Sequence, residues 1–240
     1  MSLLELRRVS RFHTRGSRRV EVLREASLEI DAGELVAVWG LRRSGRSTLL
    51  AVAAGVDPPD AGEVLFEGAD LNARGTTALG NGIGYCRPIA GRPGGRSVIE
   101  DVCAGLLARG VPPLDAQSRA QRALERVGVE PCSELASGEL DAAETMRVAI
   151  ACTLVFGPRL LVIDEPTKGV DLLDRDEIIL LLRSLANSGI AVLVSDGDGS
   201  GLSDADRSLS LAGGLLRGKT SPELSTVVPL ARAGGRITAA

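Results

Sequence analysis

The stretch from Glu34 to Ala53, ELVAVWGLRRSGRSTLLAVA, constrains the fold more than any other part of the chain. Leu35 to Val38 is a short apolar run of the kind a buried parallel strand shows. The run breaks at Gly40, carries a small and basic loop to Arg46, and restarts as a helix through Ser47, Thr48, Leu49 and Leu50. In a strand, glycine turn and helix N-terminus, free backbone N–H groups and the positive end of the helix dipole converge on one anion. The phosphate-loop pattern G-x-x-x-x-G-K-[ST] is met by Gly40-Leu41-Arg42-Arg43-Ser44-Gly45-Arg46-Ser47 at every position but one. Arginine stands where the lysine is expected. Gly40, Arg43, Ser44, Gly45, Arg46, Ser47 and Thr48 are therefore the candidate phosphate-binding residues.

A chain of 240 residues is long enough for one α/β domain with a helical insert and a sizeable core. With 44% hydrophobic residues and a net charge of −3, it reads as an ordinary soluble globular protein. No concentrated basic stripe interleaved with aromatics appears, so nucleic acid is not an expected partner, and the basic run Arg7 to Arg19 reads as a solvated edge. No apolar run approaches the roughly 20 residues that cross a bilayer, and no signal peptide opens the chain, so the expected location is the cytosol. Cys86, Cys103, Cys132 and Cys152 are scattered without C-x-x-C spacing and read as reduced thiols. Of the 28 basic residues only Lys168 and Lys219 are lysines, which makes arginine at position 46 part of a general bias.

Along the chain, residues 3–9 and 20–30 read as β-rich, and Asp31-Ala32-Gly33 as a turn. The helix after the loop is expected to end near Gly55, before the turn residues Asp57 to Gly62 and a strand at Glu63 to Phe66. Residues 72–96 have little periodicity apart from Ile83-Gly84-Tyr85-Cys86. Residues 97–108 and 115–127 read as helices, the second with Leu124 and Val127 inside and Arg119, Arg122 and Arg126 outside. A strand Leu160 to Ile163, a long helix to about Leu185, a strand Ala191 to Ser195 and a hairpin near Gly213-Gly214 follow. The expected organisation is an α/β core of residues 1–85 and 158–220, a helical subdomain over 86–157, and a C-terminal tail over 221–240.

The strand Leu160-Leu161-Val162-Ile163 ends in Asp164-Glu165, the arrangement in which a phosphate-loop nucleotidase places a Mg²⁺-binding carboxylate and a candidate base beside its loop. It runs on into Pro166-Thr167-Lys168-Gly169-Val170-Asp171. With Val22 to Ile30 ahead of the loop, Arg147-Val148-Ala149-Ile150-Ala151 ahead of the acids and Ala205-Asp206-Arg207 near the end, the chain resembles the ATP-binding cassette (ABC) transporter ATPases from about Leu3 to Gly218. The segment Ala54 to Val64 resembles the lipoprotein-release and macrolide-efflux branch. The resemblance implies an α/β fold of the P-loop NTPase, ABC ATPase type, with a mixed β core, a helical subdomain and an N-terminal antiparallel β region. It implies ATP and Mg²⁺ as cofactors, an integral-membrane permease as partner, and a peripheral location on the inner face of the cell membrane. It also implies a second ATPase subunit, since in the family two chains sandwich two ATP molecules.

Carried over residue by residue, the family pattern is kept in some places and altered in others. Phe12 matches the aromatic stacked on adenine. Ser47 and Asp164 match the Mg²⁺ ligands, Glu165 the base, and Asp171 the loop that communicates across the dimer. Arg46 keeps the charge of the family's lysine on a wider, planar fork. Arg43 takes the place of a loop glycine. Pro88 falls where a glutamine contacts Mg²⁺ and water, and proline offers neither an amide nor an N–H. The L-S-G-G-Q signature, whose N–H groups hold the opposite subunit's γ-phosphate, becomes Leu140-Asp141-Ala142-Ala143-Glu144. Asp141 and Glu144 spell a capping box, in which the helix satisfies its own terminal donors. An earlier Leu135-Ala136-Ser137-Gly138-Glu139 resembles the signature too. The switch histidine is replaced by Asp196, and His13 is the only histidine in the chain.

Three readings follow. The chain is a nucleotide-binding transporter subunit whose own ATP hydrolysis is weak or absent, paired with a more ordinary ATPase as a heterodimer rather than a homodimer. Alternatively it is a fully active ABC ATPase powering export or lipoprotein or peptide transport, or a soluble nucleotide-binding switch without a permease.

Overall fold

The computed structural model describes residues 2–72, 82–86, 95–197 and 204–218. Two long strands open the chain, β1 (Leu4–Arg15) and β2 (Arg18–Ile30), paired antiparallel through the turn at Gly16. β3 (Leu35–Trp39) leads into α1 (Arg46–Ala53), and β4 (Ala61–Phe66) and β5 (Ala69–Asp70) then complete a four-stranded sheet in the order β2-β1-β4-β5. This is the expected N-terminal antiparallel β region.

The second sheet gathers β6 (Ile83–Cys86), β7 (Leu160–Ile163), β8 (Ala191–Asp196), β9 (Arg207–Ala212) and β10 (Leu215–Gly218) around β3, in the order β10-β9-β3-β8-β7-β6. All its pairings are parallel except the terminal hairpin β9-β10. Its central strands are apolar along their length, save for Ser195 and Asp196 at the end of β8, because both faces are covered. Val36, Val38, Leu160, Val162 and Leu193 face α1 and the antiparallel sheet in one buried cluster. Leu35, Ala37, Leu161, Ile163, Val192 and Val194, one residue out of phase, join a second cluster with the remaining helices.

Those helices are α2 (Val98–Leu107), α3 (Pro113–Val127), α4 (Ala142–Leu154) and α5 (Leu172–Asn187). On α3, Ala116, Ala120, Ala123, Leu124 and Val127 are buried while Arg119, Arg122 and Arg126 are exposed, as the periodicity predicts. Its start is two residues earlier than the sequence reading, since Pro113 takes the first helical position, where a missing N–H costs nothing. α4 packs on α2, α3 and α5, so one continuous apolar cluster runs from the helical layer into the core sheet. No helix among the described residues is long and apolar enough to cross a membrane.

Candidate functional site

β3 delivers the chain to Gly40 at the centre of the core sheet, where a side chain has no room. A Cβ there would stand 2.4 Å from the Leu211 carbonyl oxygen and 2.7 Å from Ser44 Oγ. The loop then turns, with Ser44 N–H donating to the Leu41 carbonyl at 3.0 Å. Arg43 adopts a left-handed φ of 68° and Gly45 one of 106°. α1 begins with no side-chain cap and no acidic residue in its first turn. Its terminal N–H groups and dipole therefore face the loop without a competing carboxylate.

A cavity of about 400 Å³ runs along this loop from Arg43 to Thr48 and is closed on the far side by His13, Val20 and Val22. The sequence-predicted residues Arg43, Ser44, Gly45, Arg46, Ser47 and Thr48 all line it. Phe12 does not. His13 pairs with Val20 across the β1-β2 ladder and points to the cavity, whereas Phe12 pairs with Glu21 and its ring lies under the Arg19 guanidinium, 4.0 Å from the centroid. His13 Nε2 stands 3.9 Å from Asp57 Oδ2 on the turn after α1.

The acids meet the loop from β7. Arg46, only 7% exposed, donates from Nη2 to Glu165 Oε1 at 2.8 Å, while its Nη1 has no hydrogen-bond partner among the described residues. The Glu165 Oε2 atom is 2.6 Å from Lys168 Nζ. The Lys168 ammonium, and after it Arg46, hold the Glu165 carboxyl below its ordinary range against the opposing effect of burial. Glu165 itself has a left-handed φ of 50°. Its N–H donates to Ser195 Oγ at 2.9 Å, and the same hydroxyl donates to Asp164 Oδ1 at 2.5 Å. Ser195, wholly buried on β8, thus holds both acids.

The Ser47 hydroxyl and Asp164 carboxylate are hard oxygen donors of the kind Mg²⁺ takes together with phosphate oxygens and water. Among the described residues no group of three His, Cys, Asp or Glu side chains could hold a metal alone. The donor set fits an ion that arrives with a nucleotide.

The capping box at α4 is formed: Asp141 Oδ1 accepts from Glu144 N–H at 2.7 Å, and Glu144 Oε2 from Asp141 N–H at 3.0 Å. Ala142 and Ala143 open the helix behind it. The earlier Leu135–Glu139 segment is a turn bound to the start of α2. Ala136 bridges Ser97, and the Ser137 hydroxyl bonds the Asp101 carboxylate. No helix begins there. Asp196 closes β8, buried and in register with Trp39. Asp171 is the N-cap of α5 without a side-chain cap bond and stands exposed. Pro88 lies outside the described residues. Sequence reasoning missed Ser195, Lys168 and His13 as members of the site, although the rarity of lysine and histidine in this chain was a usable signal.

A family model described as ABC transporter matches residues 23–168. The lipoprotein-releasing system ATP-binding protein LolD of Chromohalobacter salexigens is 36% identical over 219 residues, covering 89% of this chain and 92% of that protein. Among solved structures, cbiO1 of Clostridium perfringens, part of the ABC transporter complex cbiONQ, shares the fold with a TM-score of 0.79 and 26% identity, over 90% of this chain and 86% of that one. The dimeric structure of MJ0796, a bacterial ABC transporter cassette, gives a TM-score of 0.77 at 24% identity, over 89% of this chain and 96% of that one. With its phosphate loop, acid pair and two-sheet architecture matched along nearly its whole described length, the chain belongs to the ABC transporter family, as an ATP-binding subunit.

Proposed function

We propose that this subunit binds ATP with Mg²⁺ but hydrolyses it slowly or not at all, and serves a membrane permease by closing and opening around bound nucleotide. The observation that carries this reading is the state of Glu165. Both of its carboxylate oxygens are engaged by cations, Arg46 and Lys168, which stabilise the anion and lower its appetite for a proton from an attacking water. The nucleotide phosphates lie along Gly40 to Thr48, and the base lies towards His13, Val20 and Val22, with Phe12 behind them. Ser47 and Asp164 would hold Mg²⁺, which would supply charge neutralisation for the phosphates.

The self-capped start of α4 supports the same reading in trans. Asp141 places a carboxylate where the family presents open N–H groups to a partner's γ-phosphate, and two anions there repel. A homodimer would contain this feature twice, which favours a heterodimer with a second ABC ATPase subunit. The relatedness to lipoprotein-releasing ATP-binding proteins supports lipoprotein or another lipophilic cargo and a site on the inner face of the membrane. The purified transporter complex is expected to bind ATP with turnover close to background. Turnover of ~10 s⁻¹, typical of enzymes, that disappears in Glu165→Gln would overturn the reading.

The fully active alternative draws on the ordered acid pair, since Ser195 fixes Asp164 and Glu165 beside the loop. Arg46→Lys discriminates: a large gain in hydrolysis supports an otherwise working site.

A further inference from the structure

We infer that Lys168 is a second phosphate-binding cation, placed to hold the terminal phosphate of a nucleoside triphosphate together with Arg46. The inference rests on the nucleotide-binding reading above and assigns a role to a residue outside the phosphate loop. Its starting point is that two cationic nitrogens from different elements converge on one small anion. Arg46 Nη2 lies 2.8 Å from Glu165 Oε1, and Lys168 Nζ lies 2.6 Å from Glu165 Oε2. A phosphoryl group offers a similar pair of oxygens with more charge, so the arrangement that bridges a carboxylate also suits a phosphate.

Two further observations point the same way. Arg46 is more than nine-tenths buried and its Nη1 has no partner among the described residues, so the loop side of the pair has unused capacity for an anion. A buried guanidinium nitrogen left unpaired is costly, and an arriving phosphate oxygen relieves it. Lys168, in contrast, is 75% exposed on a flexible stem with three donors, able to take an incoming anion alongside the carboxylate it already holds. Its backbone is tied down. Lys168 N–H donates to the Glu165 carbonyl at 3.1 Å in a tight turn, and Glu165 takes its left-handed φ at the head of that turn. The turn anchors the base of the Lys168 side chain beside the acid, so the ammonium stays within reach of it.

Charge balance favours the same role. A terminal phosphate seated against Arg46 also faces Glu165, and the two anions repel unless a cation remains between them. Lys168 is that cation. In a chain with only two lysines among 28 basic residues, the compact ammonium that the phosphate loop lacks stands across the site on the acid loop instead.

The test is equilibrium binding of ATP and of ADP, each with Mg²⁺, to the full chain and to Lys168→Ala, Glu165→Gln and the double variant. Loss of one charge-assisted hydrogen bond is expected to weaken ATP about tenfold in Lys168→Ala while ADP stays within about twofold. The same loss is expected when Lys168→Ala is introduced into the Glu165→Gln background. If the effect vanishes in that background, Lys168 only neutralises Glu165 and the inference is wrong. An equal loss for ADP also overturns it, because the contact is then not to the terminal phosphate. Failure of the unaltered chain to bind either nucleotide would sink the nucleotide-binding reading itself.

Discussion

Replacing Arg43 by glycine is expected to stabilise the chain, although it removes a side chain from the wall of the nucleotide cavity. Arg43 sits at φ 68°, where the Cβ of any L-residue crowds its own backbone. That conformation costs roughly 1–2 kcal/mol, and a glycine loses roughly 0.4–1 kcal/mol through added freedom of the unfolded chain. The balance is a gain of about 0.5–1 kcal/mol, or about 1–4 °C in melting temperature for a chain of this length. Arg43 is exposed, so little packing is forfeited. Arg43→Ala is the control, because it removes the same guanidinium and keeps the strained Cβ. Thermal and urea unfolding of the two variants side by side isolate the backbone contribution. If glycine and alanine unfold together, the left-handed turn at Arg43 carries no strain and the account of this loop is wrong.

Asp141→Ala removes the N-cap of α4 and is expected to cost about 1 kcal/mol in urea unfolding, whereas Asp141→Ser keeps a cap and stays within a few tenths. Glu165 has a folded pKa lowered from 4.5, so its ion pairs contribute fully above that value and are lost as pH falls through the lower folded value. Unfolding of the native chain and of Glu165→Gln should therefore converge as pH drops below about 4.5, and parallel curves would contradict the pairing; because the carboxylate is a quarter exposed, the gap is modest. His13→Ala is expected to weaken ATP several-fold in a binding titration while Phe12→Ala changes it less, and the reverse order would return the base platform to Phe12.

What the sequence disclosed was governed by local rules. The apolar runs at residues 35–38, 160–163 and 191–194 are legible because burial on both faces selects apolar residues there, and D-x-x-E spells the α4 cap within four residues. The phosphate loop is legible for the same reason, its glycine, arginine and serine spacing being contiguous. Long-range partnerships are not. The Arg46–Glu165 pair joins residues 119 positions apart, and the Ser195–Asp164 bond spans 31. Phe12 shows a subtler obstacle. β1 has register irregularities between Leu6 and Val9, Val9 and Arg11, and Arg11 and Phe12, and each one resets which face the next residue takes. Counting along the strand therefore cannot say that Phe12 meets Arg19 while His13 meets the cavity.

The Ser195 hydroxyl has a consequence for the assembly of the core itself. β7 and β8 pair with Ile163 beside Val194, which sets Ser195 level with Asp164. A slip of one position would bring a valine methyl or the Asp196 carboxylate against the acid pair, trading these hydrogen bonds for an unpaired polar contact or a clash of charges. Alignment of these two strands is thus proofread twice, by the sorting of greasy faces and by one serine.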